Sequence, residues 1–324
     1  MRAALITELG RLPEIGEAPD PVRGDGEVLI WVLAVPLNPI DVNVGAGRFY
    51  GGSPALPYVP GCECVGRVVE GETLEPGTLV WAHGAGMGVR RDGALAELLV
   101  VPEDVCVPVP ESYDPALAGA LGIAGVAGWL PVAVRAPVQE GETVLVLGAT
   151  GTVGLVALQG ARILGAGRVV AAGRRPEALE RARRLGADAV VSLDEADLET
   201  AVREACGGDG PSLVVDPLWG EPVVAASKAA APGARIVHIG QSAGPAALFL
   251  SADVRGKQLN ILGFSNFGTP REVMNSEYLR LLELAGSGEL EVEIERFPFD
   301  RAAEAWQRQA EGAGVKVVVE LPAG

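Results

Sequence analysis

Residues Val144–Gly154 read VLVLGATGTVG, and this stretch decides the fold. Val144, Leu145, Val146 and Leu147 form an uninterrupted apolar run, the pattern of a strand buried in a parallel sheet. A glycine-rich turn follows at once. The next residues, LVALQGARILG, place Leu155, Val156, Leu158, Ile163 and Leu164 at helical spacing. Strand, glycine turn and helix in this order build a cradle for an anion. The helix N-terminus offers unpaired N–H groups and the positive end of the helix dipole. With its flanking elements in place, the turn points to a bound dinucleotide rather than to an isolated glycine pattern.

The surrounding chain extends the same alternation. DPALAGALGIAGVAGWLPVAV is helical in pattern, and strands are expected near 143–147, 168–172, 189–192, 213–216 and 235–239. PEALERARRLGAD reads as a helix with Pro176 at its start and Gly186 at its end. Helices alternating with buried strands imply a doubly wound parallel sheet. From Met1 to about Pro110 the texture differs. VLIWVLAVPLN, CVGRVVEG, TLVWAH and ALAELLVVP are short strands separated by Gly/Pro turns, as in a small barrel or folded sheet. After Gly263, EYLRLLELAGSGEL and FPFDRAAEAWQRQ read as helices and VKVVVELP as a closing strand, all expected to rejoin the first domain. The expected class is α/β, with a nucleotide domain over 113–264 inserted in a β-rich domain built from 1–112 and 265–324.

The 324 residues suffice for two cores, and 48% hydrophobic with 21% charged residues describes a globular chain. A net charge of −16 argues against binding nucleic acid or an anionic membrane surface. No apolar run is expected to span a membrane. The opening MRAALITELG reads as a first strand rather than a signal peptide, so a cytoplasmic location is the default. Cys62, Cys64, Cys106 and Cys206 form neither a disulfide framework nor a C-x-x-C metal set and read as buried thiols. Lysine occurs only at 228, 257 and 316.

Several ordered motifs give the chain a resemblance. LNPID (Leu37–Asp41), PALPYVPGCECVGRV (Pro54–Val68), RAPVQEGETVLVLGATGTVG (Arg135–Gly154), LGAD (Leu185–Asp188) and GARIVHIG (Gly233–Gly240) resemble the medium-chain dehydrogenase/reductase superfamily. The match is to its zinc-independent quinone oxidoreductase, zeta-crystallin-like branch, over nearly the whole length. The resemblance implies a GroES-like catalytic domain, a Rossmann domain, and an active site in the cleft between them. Zinc-dependent members hold their metal at positions that correspond here to Asn38, Cys62 and a residue near Gly122. Only Cys62 could serve, whereas a catalytic zinc needs three protein ligands. No metal is expected, and His83 reads as structural.

Ala149, Gly151 and Gly154 stand at the G-x-G-x-x-G positions, with Thr150, Thr152 and Val153 offering backbone N–H groups to the pyrophosphate. At the end of the next strand an NAD enzyme carries Asp or Glu. This chain has Gly173, then Arg174 and Arg175, whose guanidinium groups match a 2′-phosphate. NADPH is therefore the expected cofactor. The resemblance places Gly240, Gln241, Phe264, Ser265 and Asn266 beside the nicotinamide, and Asn38 at its end; Asp41 is expected to order the turn after it.

Hydride transfer without a metal suits a conjugated acceptor, a quinone or an α,β-unsaturated carbonyl, whose enolate-like oxygen needs only hydrogen bonds. The substrate side departs from the family. D-x-Y-x-R-x-G becomes DVNVGAG, so Asn43 and Gly45 replace Tyr and Arg, and Ala127 replaces a Thr. Tyr50 or Tyr58 could supply the missing donor. Two other functions stay open: an NADPH-binding sensor or crystallin-like protein with little turnover, and a zinc-type alcohol dehydrogenase using Cys62. A homodimer is expected through the apolar edge QLNILGF, Gln258–Phe264, which carries no gatekeeping charge or proline.

Overall fold

The computed structural model describes residues 1–322; residues 323 and 324, the end of the expected first domain, lie outside the described residues. The chain forms two units, Met1–Ala124 with Val292–Gly324, and Gly125–Glu291. The first opens with β1 (Arg2–Leu5) and β2 (Glu14–Glu17), then β3 (Glu27–Pro36) and α1 (Pro39–Gly45). Next come β4 (Glu63–Glu70), β5 (Leu79–His83), β6 (Leu98–Pro102), β7 (Cys106–Pro108) and α2 (Pro115–Ala120). The second unit runs α3 (Val126–Leu130), β8 (Thr143–Leu147), α4 (Thr152–Ile163), β9 (Arg168–Gly173), α5 (Pro176–Arg184) and β10 (Ala189–Ser192). It continues with α6 (Leu198–Ala205), β11 (Leu213–Asp216), α7 (Gly220–Ala229), β12 (Arg235–His238), α8 (Ser251–Gly256), β13 (Asn260–Gly263) and α9 (Arg271–Gly286). The chain then rejoins the first unit with β14 (Ile294–Pro298), α10 (Ala302–Ala310) and β15 (Lys316–Glu320).

In the first unit β3 is the hub. Its residues alternate buried and half-buried, so one face enters the core while its edges pair antiparallel with β4, β6 and β15. The full order is β14-β15-β3-β4-β5-β7. In the second unit six parallel strands lie in the order β10-β9-β8-β11-β12-β13. That order reverses between β8 and β11, which is the switch point where such sheets bind ligands. Val144 and Val146 face one apolar core with Val169 and Val215, while Leu145 and Leu147 face a second with Val170 and Val214. Two covered faces explain why the strand reads as a continuous apolar run.

The unit boundaries differ from the expected 112/113 and 264/265. α2 packs on β3, β4 and β15 and so stays with the first unit. α9, expected to rejoin the first domain, stays with the second, because Trp129 Nε1 donates to Glu277 Oε2 at 2.6 Å and the Arg280 guanidinium lies over the Trp129 ring. A second correction concerns apolar length. Helical segments join from Pro115 to Arg135 with a mean hydropathy of 1.9, enough by length and composition to cross a membrane. This run is 72% buried inside the protein, as a core helix is.

Candidate functional site

In the second unit the glycine turn is shaped by close approach. A side chain at Gly154 would lie 2.4 Å from the Gly148 carbonyl oxygen, so α4 can start tight against the end of β8 only with glycine there. At Gly151, the N-cap of α4, an added Cβ meets nothing within 4 Å, so the turn is open on that side. A cradle of helix-terminal N–H groups at an open turn fits a pyrophosphate. Ala149 is buried beneath it, and the Thr150 carbonyl accepts from Arg181 Nη2 at 3.1 Å. Thr152 and Val153 begin the helix.

The other cofactor candidates gather at the same edge of the sheet. Gly173 ends β9, and exposed Arg174 and Arg175 follow directly. Gly240 and Gln241 follow β12, and Phe264, Ser265 and Asn266 follow β13. A side chain at Gly240 would stand 2.7 Å from the Pro217 carbonyl oxygen, so this loop and the one after β11 touch through glycine. The sequence residues predicted for the dinucleotide are thus brought together within one unit, Asn38 excepted.

Asn38 lies in the first unit and is 2% exposed. Its Nδ2 donates to the Pro36 carbonyl at 3.2 Å and to Glu63 Oε1 at 2.8 Å, and its Oδ1 accepts from Lys316 Nζ at 2.6 Å. Both polar atoms of the side chain therefore have partners inside the first unit. Lys316 Nζ also donates to the Leu37 carbonyl at 3.0 Å and stands 3.7 Å from Glu63 Oε1. Glu63 Oε2 accepts from Trp81 Nε1 at 2.9 Å and the Ile123 amide at 2.7 Å. By capturing that amide, Glu63 holds the kink at Gly122, where the backbone leaves helical geometry. Asp41 accepts from the Asn38 amide at 2.7 Å and the Cys62 amide at 2.8 Å, tying the start of α1 to the start of β4. Asp41 thus has a structural role, but it ties down the Asn38 amide before it and the distant Cys62 amide rather than the turn after it.

The electrostatics of this cluster are those of buried charge. Burial pushes the Lys316 ammonium below the usual lysine range, against the pull of Glu63 and Asp41, and holds the Asp41 carboxyl above its usual range. Burial raises the Cys62 thiol well above its ordinary value, so it stays protonated. Sequence reasoning missed Lys316, Glu63 and Trp81. The signal available was Lys316 itself, the only lysine of the first unit, heading the apolar run KVVVE.

The tyrosines separate. Tyr58 is 2% exposed in the core, its hydroxyl has no hydrogen-bond partner among the described residues, and burial raises its ionisation above the ordinary phenol value. Tyr50 is 91% exposed with its ring beside Phe49. Gly45 has a packing reason: a Cβ there would lie 2.7 Å from the Trp306 ring, so Trp306 fills the space a longer side chain would need.

Two family models match the chain: an alcohol dehydrogenase GroES-like domain over residues 24–111, and a zinc-binding dehydrogenase over residues 152–284. Mouse quinone oxidoreductase-like protein 2 is 32% identical over 266 residues, which cover 81% of this chain and 74% of that protein. The chain belongs to the quinone oxidoreductase branch of the medium-chain dehydrogenase/reductase superfamily. A phenolphthiocerol/phthiocerol polyketide synthase polypeptide of Mycobacterium tuberculosis is 29% identical over 313 residues; the match covers 93% of this chain but spans only 14% of that protein's length. A mycobacterial protein solved as a complex with NADPH superposes with a TM-score of 0.87 at 26% identity, covering 99% of this chain and 100% of that one. This oxidoreductase therefore has a pyridine-nucleotide-binding fold of the superfamily.

The zinc implied by the second family description does not fit the donors. Asn38 is engaged by Pro36, Glu63 and Lys316, and Gly122 has no side chain to offer; a Cβ there would lie 2.1 Å from Glu63 Oε2, which leaves Cys62 as a lone donor of the three. The Lys316 ammonium already supplies a positive charge beside Glu63. Among the described residues no group of three His, Cys, Asp or Glu is placed to hold a metal ion.

Proposed function

We propose that this oxidoreductase is a zinc-independent, NADPH-dependent reductase of quinones or α,β-unsaturated carbonyls. The observation that carries the reading is the Lys316–Glu63–Asn38 network, which occupies Asn38, one of the three positions that correspond to the metal ligands of zinc-dependent members. Arg174 and Arg175 after a glycine-ended β9 support the 2′-phosphate half of the assignment. A bound nicotinamide would supply the hydride. The α4 amides, Thr152 and Val153 among them, would hold the pyrophosphate, and Gly240, Gln241 and the 264–266 segment would border the nicotinamide half. With no metal to polarise a simple ketone, an acceptor activated by conjugation needs only positioning and hydrogen bonds.

The test is NADPH oxidation against a panel of quinones and enones, before and after dialysis with a strong zinc chelator. Turnover on at least one acceptor, unchanged by the chelator, is expected. Loss of activity restored by zinc would overturn the metal-free reading. A second reading, an NADPH-binding sensor with little turnover, is favoured by Trp306 filling the space at Gly45. Tight NADPH binding without turnover on any acceptor would select it.

A homodimer through the β13 edge belongs to the same proposal. Among the described residues β13 pairs only with β12, and its Ile261 is 39% exposed. An unpaired apolar edge invites a second copy of the chain. Ile261→Lys is expected to convert a dimer to a monomer in gel filtration; a wild-type chain that elutes as a monomer would remove the idea.

A further inference from the structure

Within the second unit, the loop after β11 holds a residue in a backbone conformation that side chains rarely adopt. Trp219 has φ +59° and ψ −160°, and glycine would take that position without strain. Three contacts hold it there. Asp216, fully buried, accepts through Oδ1 from the amides of Leu218 and Trp219, both at 2.9 Å. The indole lies on the His238 imidazole, ring centroids 4.0 Å apart, and against Phe249 at 5.4 Å. His238 stands opposite Asp216 in the strand register, with Nδ1 3.5 Å from Asp216 Oδ2.

The location gives the strain a meaning. β11 and β12 begin the second half of the parallel sheet, beyond the reversal of strand order at β8. In a doubly wound sheet the ligand crosses the carboxyl ends at that point, with the half beyond the pyrophosphate lying over these strands. The Pro217–Leu218 segment is also the surface that Gly148 of the cradle packs on; a Cβ at Gly148 would lie 3.0 Å from Leu218. Trp219 packs against the second apolar core yet is only partly buried. Outlying backbone geometry of this kind clusters at ligand sites, where surrounding contacts over-determine it.

We infer that Trp219 is a binding residue for the nicotinamide half of the dinucleotide, its indole forming a wall of that subsite, with Asp216 and His238 as the residues that position it. This rests on the dinucleotide reading above. Trp219→Gly separates ring from backbone, because glycine keeps the turn and loses only the indole. Calorimetric titration with NADPH and with 2′,5′-ADP, which lacks the nicotinamide half, reads the difference. NADPH affinity is expected to fall at least fivefold in Trp219→Gly, with 2′,5′-ADP affinity within twofold of wild type. Unchanged NADPH affinity would overturn the assignment, and so would an equal loss for both ligands, which marks a general structural role. Asp216→Asn keeps the Oδ1 acceptor and is expected to retain NADPH affinity, whereas Asp216→Ala is expected to lose it in the same ligand-selective way. A folded wild-type chain that binds neither ligand would instead remove the dinucleotide reading itself, and this assignment with it.

Discussion

Lys316→Met is expected to destabilise the first unit by about 3–5 kcal/mol, the usual cost of leaving one charge of a buried pair uncompensated. The lost ammonium strands Glu63, which is fully buried, and leaves Asn38 Oδ1 and the Leu37 carbonyl without their donor. Calorimetric Tm is expected to fall by about 10 °C on that scale. The double variant Lys316→Met with Glu63→Gln is expected to recover part of the loss, because a neutral amide removes the stranded charge. Partners in one network commonly couple by about 0.5–3 kcal/mol. A single variant within about 1 kcal/mol of wild type would show that the ammonium is not what holds the cluster.

Arg174→Ala with Arg175→Ala carries the other large effect. Each charge-assisted contact to a phosphate contributes about 1.5–3 kcal/mol, so the pair together should lower NADPH affinity by about 10²-fold or more. NADH affinity should change by less than about threefold, since a free 2′-hydroxyl has little use for a guanidinium. Equal losses for the two cofactors, read by titration, would sink the NADPH assignment. The geometry also decides which variant is clean. Placing Asp at Gly173 would set a Cβ 2.4 Å from Thr150 Cγ2 and 3.2 Å from Leu179, disturbing the cradle together with the ribose end. The arginine pair avoids that confusion.

The cradle and its sheet were legible along the chain because their requirements are local. Apolar runs mark strands covered on both faces, and Gly154 follows from an approach between neighbouring turns of one β–α unit. The ends of β9, β12 and β13 could be placed for the same reason, each lying just past an apolar run. The surroundings of Asn38 and Tyr58 were not legible for the opposite reason. Their residue types suit a site, but burial and hydrogen-bond partners come from distant parts of the chain.

The family motifs, the glycine turn and the arginines after β9 need only short spacing to be recognised, and they were enough to specify a two-part α/β oxidoreductase. Whether Asn38 is free or spent, and whether a metal could sit beside Cys62, depended on contacts no local pattern contains. Lys316 reaches Asn38 across 278 positions, and Glu63 reaches the Ile123 amide across 60. A buried charge is tolerated only where such partners converge, and convergence is a property of the folded chain.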